Sequence, residues 1–369
     1  MRSDAQGEIR ALTGLRGIAA CLVVCFHLFA LDVPQPALRA ILWHGYIWVD
    51  AFFVLSGFVM ALSFPLPAGP LLGKRFLIFL GRRIARIWPL YAVSSVAGLL
   101  IIETGHSFYP FYHYDGPKTL LLTNLLMVQN WGWLAPGAPH EWARSLDAAG
   151  WSLSTEWTAY LFYPLLFTLV FLRRRTAVVA FGLAAASLAW IGLTQWPDMP
   201  WRHGPLDLTD GDRVQGLLRC IAEFTLGLLA YRVKDHPLAR AVLRNRVASG
   251  VLLVAILTLL AWPWTDLLVV PLFAALIIAL LEPRAPAARL LGWGVLYQLG
   301  VWSYAIYLVH TPYLISVLHL WVNLRWSGKL AQALAGLGVI FPLAVVLHYA
   351  VERPGRRWVR RAVDATFGR

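Results

Sequence analysis

The sequence is poor in charge, in acidic residues and in cysteine. Only 14% of its 369 residues are charged, and 19 Asp and Glu stand against 32 Lys and Arg. With 59% hydrophobic residues and a mean hydropathy of +0.62, the chain is too apolar for an ordinary soluble protein. The three cysteines, Cys21, Cys25 and Cys220, all fall in apolar stretches, which argues against a disulfide framework.

Repeats and low-complexity tracts are also lacking, as are heptad arrays and any stretch typical of a second soluble domain. No small-residue cleavage site follows the first apolar run, so we expect no cleavable signal peptide. We therefore expect residues 1–369 to form a single integral-membrane domain without a fused soluble domain.

The apolar residues occur in blocks of roughly twenty, the length that crosses a bilayer as a helix. They predict an all-α, polytopic transmembrane helical bundle of about ten spans. The predicted spans are residues 12–31, 44–63, 87–103, 151–172, 176–194, 214–233, 247–265, 267–281, 296–319 and 332–351. The eighth is short enough to be re-entrant, and residues 119–128 are expected in the membrane interface.

The net charge of +13 is explained by topology rather than by a nucleic-acid partner. When both termini are placed in the cytoplasm, most of the Lys and Arg residues fall in cytoplasmic segments, as the positive-inside rule requires. This orientation predicts a multi-pass protein that is surrounded by membrane lipids and not bound to nucleic acid. We expect it in a bacterial cytoplasmic (inner) membrane.

Two ionisable residues share one face of the first predicted span. Arg16 and His27 are eleven residues apart, which on a helix returns to within about 20° of the same face and separates them by about 16 Å. Ionisable groups within spans are costly and are read as functional. The pair predicts an anion-binding end near the cytoplasm and proton chemistry near the other leaflet.

Further polar residues fall at a similar depth to His27. They are Asp50, Trp151, Ser152, Glu156, Ser303, Tyr307 and His310. The last three follow helical spacing on one face of the ninth span. A neutral histidine beside a carboxylate deprotonates hydroxyls, which makes Asp50 and Glu156 candidate partners of His27. Structural roles are the alternatives: His27 as a hydrogen bonder, Asp50 neutralising an arginine, and His310 in an interfacial aromatic belt.

The cytoplasmic segment 74–91 is basic and amphipathic, with Arg82, Arg83 and Arg86 crowded into one turn. Guanidiniums at this spacing can bind phosphate oxygens in forked pairs. Topology determination and contact with anionic lipid are the alternatives. Glu352 is a candidate partner for Arg16 or Arg86, and an intramembrane pair of residues 219 and 223 is predicted to be structural.

These residues lie in motifs that resemble acyltransferase family 3, the membrane-bound O-acyltransferases of cell-surface glycans and related molecules. The motifs, in order, are the Arg-x10-His spacing of residues 16–27, DAFFVLSGF at 50–58, RRIARIWPLY at 82–91, WSLSTEW at 151–157, SYAIYLVH at 303–310 and ERP at 352–354. Each is weak alone, but six in order along almost the whole chain are specific.

The resemblance implies an acyl-CoA donor, usually acetyl-CoA, and transfer to a hydroxyl on the opposite side of the membrane, without a metal. It implies essential roles for Arg16 and His27, and CoA-phosphate contacts at Arg83 and Arg86, with Arg82 beside them. The acceptor is expected to be an extracytoplasmic glycan or lipid-linked sugar. The expected acceptor-binding residues are Trp151, Ser152, Tyr307 and His310.

We therefore predict an O-acetyltransferase that modifies a cell-surface or exopolysaccharide sugar. A proton-coupled transporter or flippase of an anionic or glycolipid substrate is the alternative, because it too would use intramembrane His, Asp and Arg. The sequence lacks the inverted repeats and paired broken helices of many transporters. A membrane scaffold is a third interpretation, but it leaves His27 and Asp50 without a purpose.

Overall fold

The computed structural model describes residues 9–29, 35–66, 73–103, 117–131, 145–195, 203–208, 213–310 and 329–367, and these contain helices but no strand. The α-helices are α1 (Arg10–Phe29), α2 (Pro36–Trp43), α3 (Trp48–Ser63), α4 (Lys74–Glu103), α5 (Pro117–Leu125), α6 (Gly150–Phe171), α7 (Arg174–Gln195), α8 (Arg213–Val233), α9 (Pro237–Leu243), α10 (Ala248–Leu259), α11 (Asp266–Ala279), α12 (Pro286–Leu291), α13 (Gly294–Val309), α14 (Lys329–Leu347) and α15 (Arg353–Phe367). A π-helical turn, His348–Glu352, joins α14 to α15.

A helix lies at each of the ten predicted span positions, so the all-α class is confirmed. Within the described residues, six helices are long and apolar enough to cross a membrane, or seven if the bent pair α9–α10 is one span. The total of ten spans and the cytoplasmic placement of the termini remain predictions. The ninth predicted span, 296–319, is described only as far as His310, and most of the predicted outer segment 104–150 lies outside the described residues.

The third predicted span, residues 87–103, corresponds to α4. This helix is longer than predicted, because it begins at Lys74 instead of residue 87. Its first turns carry buried Phe76 and Phe79 on one face and exposed Lys74 and Arg75 on the other. The apolar face packs into the core while the basic face stays polar, so the amphipathic segment continues the spanning helix. Arg82, Arg83 and Arg86 are thereby held on a rigid element.

Helices α1 and α13 approach closely because glycines face each other. A Cβ atom on Gly17 would lie 2.5 Å from the backbone nitrogen of Gly300, and one on Gly300 would lie 1.8 Å from the carbonyl oxygen of Thr13. Small residues allow such backbone contact between membrane helices. This crossing sets the distance between the polar side chains of the two helices.

Helices α3 and α8 form a second close crossing of the same kind. A Cβ on Gly57 would lie 2.0 Å from the Phe224 carbonyl oxygen, and one on Gly227 would lie 2.0 Å from that of Val54. Large apolar side chains, including Phe53, surround this crossing and are fully buried. The pair α3–α8 is therefore a closely packed part of the core, next to the α1–α13 pair.

Candidate active site

A cavity of about 150 Å³ lies between α1, α3, α4, α6 and α13. Its polar lining is unusual for the interior of a helical bundle, in which charged groups are costly. The polar lining residues are Arg16, Ser56, Arg83, Arg86, Ser152, Glu156, Tyr160, Ser303, Tyr304 and Tyr307. The structure therefore brings six predicted site residues together in one cavity. They are Arg16 of α1, Arg83 and Arg86 of α4, Ser152 and Glu156 of α6, and Tyr307 of α13.

Arg16 enters the cavity from α1 and is held by α13. Its Nη2 donates a hydrogen bond to Ser303 Oγ at 3.1 Å, and Ser303 Oγ in turn donates to the Gly300 carbonyl at 2.8 Å. Among the described residues, no carboxylate forms an ion pair with Arg16. A guanidinium held by a neutral hydroxyl keeps most of its donors for a ligand.

Arg86 is paired with Glu352. Of the two predicted partners of Glu352, Arg16 and Arg86, the structure confirms Arg86. Arg86 Nη1 lies 3.1 Å from Glu352 Oε1, and His348 Nδ1 lies 2.8 Å from the other oxygen, Oε2. The carboxylate sits at the end of the π-helical turn, a distortion that is frequent at functional sites. The turn therefore fixes one acid against the cationic side of the cavity.

Arg83 and Arg82 point in different directions from the same turn of α4. Arg83 lines the cavity, and its buried Nε has no hydrogen-bond partner among the described residues. The Arg82 guanidinium lies over the Phe64 ring at 5.7 Å and faces a separate groove with Arg75. The three predicted phosphate contacts therefore do not converge: Arg83 and Arg86 share the cavity, and Arg82 does not.

Glu156 belongs to a hydrogen-bonded cluster on the cavity wall. Ser56 Oγ and Tyr160 OH both donate to Glu156 Oε1, at 2.6 and 2.5 Å. The prediction that Glu156 orients His27 has no support, because no hydrogen bond or ion pair among the described residues joins them. Ser56 and Tyr160 were not predicted; the i, i+4 spacing of Glu156 and Tyr160 was the available signal.

Asp50 is buried in an ion pair with Arg219, and no hydrogen bond or ion pair among the described residues joins it to His27. Arg219 binds both of its carboxylate oxygens, one through Nε at 3.0 Å and the other through Nη2. Glu223 Oε1 lies 3.6 Å from the same guanidinium, which confirms the predicted pair of residues 219 and 223. The expectation that Asp50 serves the histidine is therefore not supported, and the alternative of a neutralised arginine is confirmed.

Trp151 packs against the same ion pair. Its ring lies 5.8 Å from the Arg219 guanidinium carbon and 6.3 Å from the Phe53 ring. The predicted acceptor-binding role for Trp151 gains no support from this position, since its ring covers a buried ion pair.

His27 is exposed near the end of α1 and lies beside His310. The two rings are 5.0 Å apart, and His310 is buried. His27 Nδ1 donates to the Val23 carbonyl at 2.9 Å, and His310 Nδ1 donates to the Tyr307 carbonyl. A neutral ring with its proton on Nδ1 carries a lone pair on Nε2, which is the atom that accepts a proton in base catalysis.

Tyr307 connects the histidine pair to the cavity. Its hydroxyl and that of Ser152 share a hydrogen bond of 2.8 Å, and its ring lies 5.3 Å from the His310 ring. The predicted single face of α13 is confirmed, because Ser303 contacts Arg16, Tyr307 contacts Ser152, and His310 contacts His27. Cations and a potential base thus lie at opposite ends of one continuous row of side chains.

The chain is similar to known acyltransferases along almost its whole length. Residues 9–349 match the family described as the acyltransferase domain. The chain is similar to acyltransferase MdmB of Streptomyces mycarofaciens, with 32% identity over 96% of this chain and 93% of that protein. It is also similar to the membrane-bound transacylase BcsY of Komagataeibacter xylinus, with 28% identity over 98% of this chain and 86% of that protein. Among solved structures, none matches the chain.

Proposed function

This chain belongs to acyltransferase family 3, and from that premise we propose that it transfers an acyl group from cytoplasmic acyl-CoA to an acceptor hydroxyl across the membrane. The acyl group is acetyl, and the acceptor is a sugar of a cell-surface polysaccharide, an exopolysaccharide or a lipid-linked precursor. The enzyme works in a bacterial cytoplasmic membrane.

The observation that carries this proposal is the row of contacts between α1 and α13. Arg16 meets Ser303 at 3.1 Å and His27 meets His310 at 5.0 Å, while Tyr307 lies between these two contacts. The same two helices therefore present an anion-binding group at one depth and a base at another. A transferase that takes its donor from one side and its acceptor from the other needs this separation.

The cavity supports a CoA donor with a short acyl group. Arg83 and Arg86 line it from α4, and guanidiniums are well suited to phosphate oxygens. A volume of about 150 Å³ holds the thioester end of the donor with an acetyl group better than with a long acyl chain. Phosphates at the arginines would direct the thioester toward Tyr307 and the histidines.

The transfer step is a direct attack on the thioester. The acceptor oxygen forms a bond to the acyl carbon, and Nε2 of His27 takes the hydroxyl proton. The C–S bond then breaks, and the leaving CoA thiolate takes up the proton that His27 accepted, so the histidine is neutral again. Because Tyr307 and Ser152 are hydrogen-bonded between the cavity and the histidine pair, this contact opens for the thioester to reach His27.

The aromatic surroundings of His27 support a sugar acceptor. The Phe26 ring lies 4.8 Å from the His27 ring, and the His203 ring lies between Phe26 and Trp43, at 5.8 and 5.1 Å. Flat apolar rings beside polar groups suit a ligand that has both apolar faces and hydroxyls. His27 is exposed, so an acceptor hydroxyl can approach Nε2 directly.

The test is thiol release from acetyl-CoA by purified protein in proteoliposomes, with and without added acceptor. His27→Ala should reduce release by about a hundredfold or more, since it removes the base. His44→Ala is the matched control, because His44 Nδ1 also donates to a carbonyl four residues earlier, Ala40, at 2.8 Å. Both variants are first checked for folding by gel filtration and thermal unfolding.

Equal release by wild type and His27→Ala, with both proteins folded, would contradict the role of His27. Movement of a labelled glycolipid across the bilayer without consumption of acetyl-CoA would contradict acyl transfer and favour a transporter.

A further inference from the structure

The C-terminal helix α15 lies antiparallel along the cytoplasmic part of α4. A Cβ on Gly355 would lie 2.5 Å from Pro89 Cβ, and one on Gly81 would lie 2.6 Å from Val363 Cγ2. The two contacts are equally spaced along both helices, which fixes their register. In this register Arg356 and Arg360 of α15 lie level with the turn of α4 that carries the cavity arginines.

The register concentrates positive charge at one place. Arg356 is close enough to Arg86, Arg360 and Arg83 to be repelled by each of them, and Arg83 is likewise close to Arg360. In the part of the chain that the structure describes, no ion pair is formed by Arg83, Arg356 or Arg360. Glu352 is already shared between Arg86 and His348.

Four guanidiniums held together around one shared carboxylate repel each other, and the repulsion is relieved when a multiply charged anion binds. Phosphate groups match guanidinium geometry and accept forked hydrogen bonds. The buried Nε of Arg83, which has no partner among the described residues, is a donor available to such an anion. The cluster is therefore expected to bind a ligand with more than one phosphate.

A phosphate that binds this arginine cluster can belong to a lipid headgroup or to a nucleotide. Arg357 and Arg361 lie about 100° around α15 from Arg356 and Arg360, on the side away from α4, and Trp358 beside them is 70% exposed. An exposed Trp with flanking arginines is typical of contact with the lipid interface. Arg356 and Arg360 instead flank the α4 contact, next to two arginines that line the internal cavity.

We propose that Arg356 and Arg360, together with Arg83 and Arg86, bind the phosphorylated nucleotide end of the acyl-CoA donor. This proposal rests on the proposed function, since it assigns further residues to the donor site. Helix α15 begins beyond residues 9–349, the part of the chain that matches the family. The C-terminal helix thus completes a site whose other half belongs to the transmembrane bundle.

The experiment compares the double variant Arg356→Gln/Arg360→Gln with the matched control Arg357→Gln/Arg361→Gln. Both remove two charges from the same helix, one pair beside the α4 contact and the other on the side away from α4. Binding of CoA and of adenosine 3′,5′-bisphosphate is measured on purified protein in phosphatidylcholine nanodiscs, and then in nanodiscs that also contain phosphatidylglycerol. Transfer is measured with acetyl-CoA and with acetyl-pantetheine, which lacks the nucleotide.

We expect Arg356→Gln/Arg360→Gln to weaken binding of both nucleotides by about tenfold or more, with a corresponding rise of KM for acetyl-CoA. Its kcat, and its rate with acetyl-pantetheine, should stay near wild type. The control variant should bind nucleotide normally. The salt dependence of CoA binding should also be shallower in the first variant than in the control.

Several results would overturn the proposal. Wild-type binding in Arg356→Gln/Arg360→Gln, or equal weakening by both variants, would show that α15 does not contact the nucleotide. If Arg356→Gln/Arg360→Gln weakens nucleotide binding only in nanodiscs with phosphatidylglycerol, the cluster would be assigned to lipid. A wild-type protein that binds neither CoA nor adenosine 3′,5′-bisphosphate would instead overturn the acyl-CoA donor itself, and this proposal with it.

Discussion

The α1–α13 and α3–α8 pairs are built alike and do different things. Both cross where glycines allow the backbones to touch, and both place an arginine between the helices. Arg219 on α8 faces two carboxylates, Asp50 and Glu223, and all three are buried. Arg16 on α1 is bound by the neutral hydroxyl of Ser303. A neutralised arginine holds helices together, whereas one with a neutral partner remains available to an anionic ligand.

Removing the neutralised cation tests the different roles of the two arginines most strongly. Arg219→Gln leaves Asp50 and Glu223 buried without a counter-charge, so we expect a loss of about 3–5 kcal/mol in the free energy of unfolding. Thermal and chemical unfolding of the detergent-solubilised protein measure the effect. Adding Asp50→Asn and Glu223→Gln to the same chain should recover much of the stability, because no charge then remains buried.

A stable Arg219→Gln protein that has lost transfer activity would contradict this assignment. Arg219 would then be assigned to the transfer reaction instead of to the stability of the core.

The matching change on the other pair is Arg16→Gln, which should affect activity far more than stability. Removing one charged contact to the donor or its reacting group should lower transfer by about tenfold to a hundredfold. The unfolding temperature should stay near wild type, because Ser303 loses only one hydrogen bond and no carboxylate is left unpaired. Thiol release and thermal unfolding are measured on the same preparation.

If Arg16→Gln unfolds as readily as Arg219→Gln, the two arginines have the same structural role and the comparison fails.

Sequence reasoning predicted the polar faces of α1 and α13, but it placed Ser303 at the depth of His27, whereas Ser303 contacts Arg16. It predicted the α3–α8 pair poorly. The spacing of Arg16 and His27, and the single face of Ser303 and His310, follow from helical periodicity alone. Asp50 was placed at the depth of His27, but depth along a helix does not determine which neighbour a side chain faces. The choice of neighbour depends on the glycine-driven crossing of α3 with α8, which no local pattern reveals.

The residues of the cavity wall also show that sequence position does not determine which neighbour a side chain faces. Glu156 was expected beside His27, but α6 turns it toward Ser56 and Tyr160. Arg82, Arg83 and Arg86 were expected to act as one group, because they lie within one turn. Adjacent helical positions differ by about 100°, so the cavity receives Arg83 and Arg86 while Arg82 faces another groove.

Asp147, in the segment that precedes α6, is a buried carboxyl with no cationic partner among the described residues. Burial raises the pKa of Asp147 from 3.8 to about 7, although the Ser94 hydroxyl and the Ala149 amide donate to it. Between these values the folded protein binds a proton that the unfolded chain does not, so stability falls as pH rises. The slope from this group is at most about 1.4 kcal/mol per pH unit.

Asp147→Asn should remove this slope, which is measured as the unfolding temperature between pH 4 and pH 7. Asp235→Asn is the control, because the Lys234 ammonium lowers the pKa of that exposed carboxyl and places its titration below this interval. An unchanged slope in Asp147→Asn would show that the carboxyl is already ionised throughout the range.

Ser303→Ala is expected to have the smallest effect of these substitutions. It keeps the Arg16 charge and removes only the hydroxyl that accepts a hydrogen bond from the guanidinium. We expect a decrease in transfer of less than about tenfold, since a single neutral hydrogen bond contributes roughly 0.5–1.5 kcal/mol. Arg16→Gln should exceed this effect clearly, because it removes the charge as well. If the two variants lose equal activity, orientation alone explains the role of Arg16. If Ser303→Ala is neutral, donor binding itself positions the guanidinium, and the charge that α1 carries into the cavity is what transfer requires.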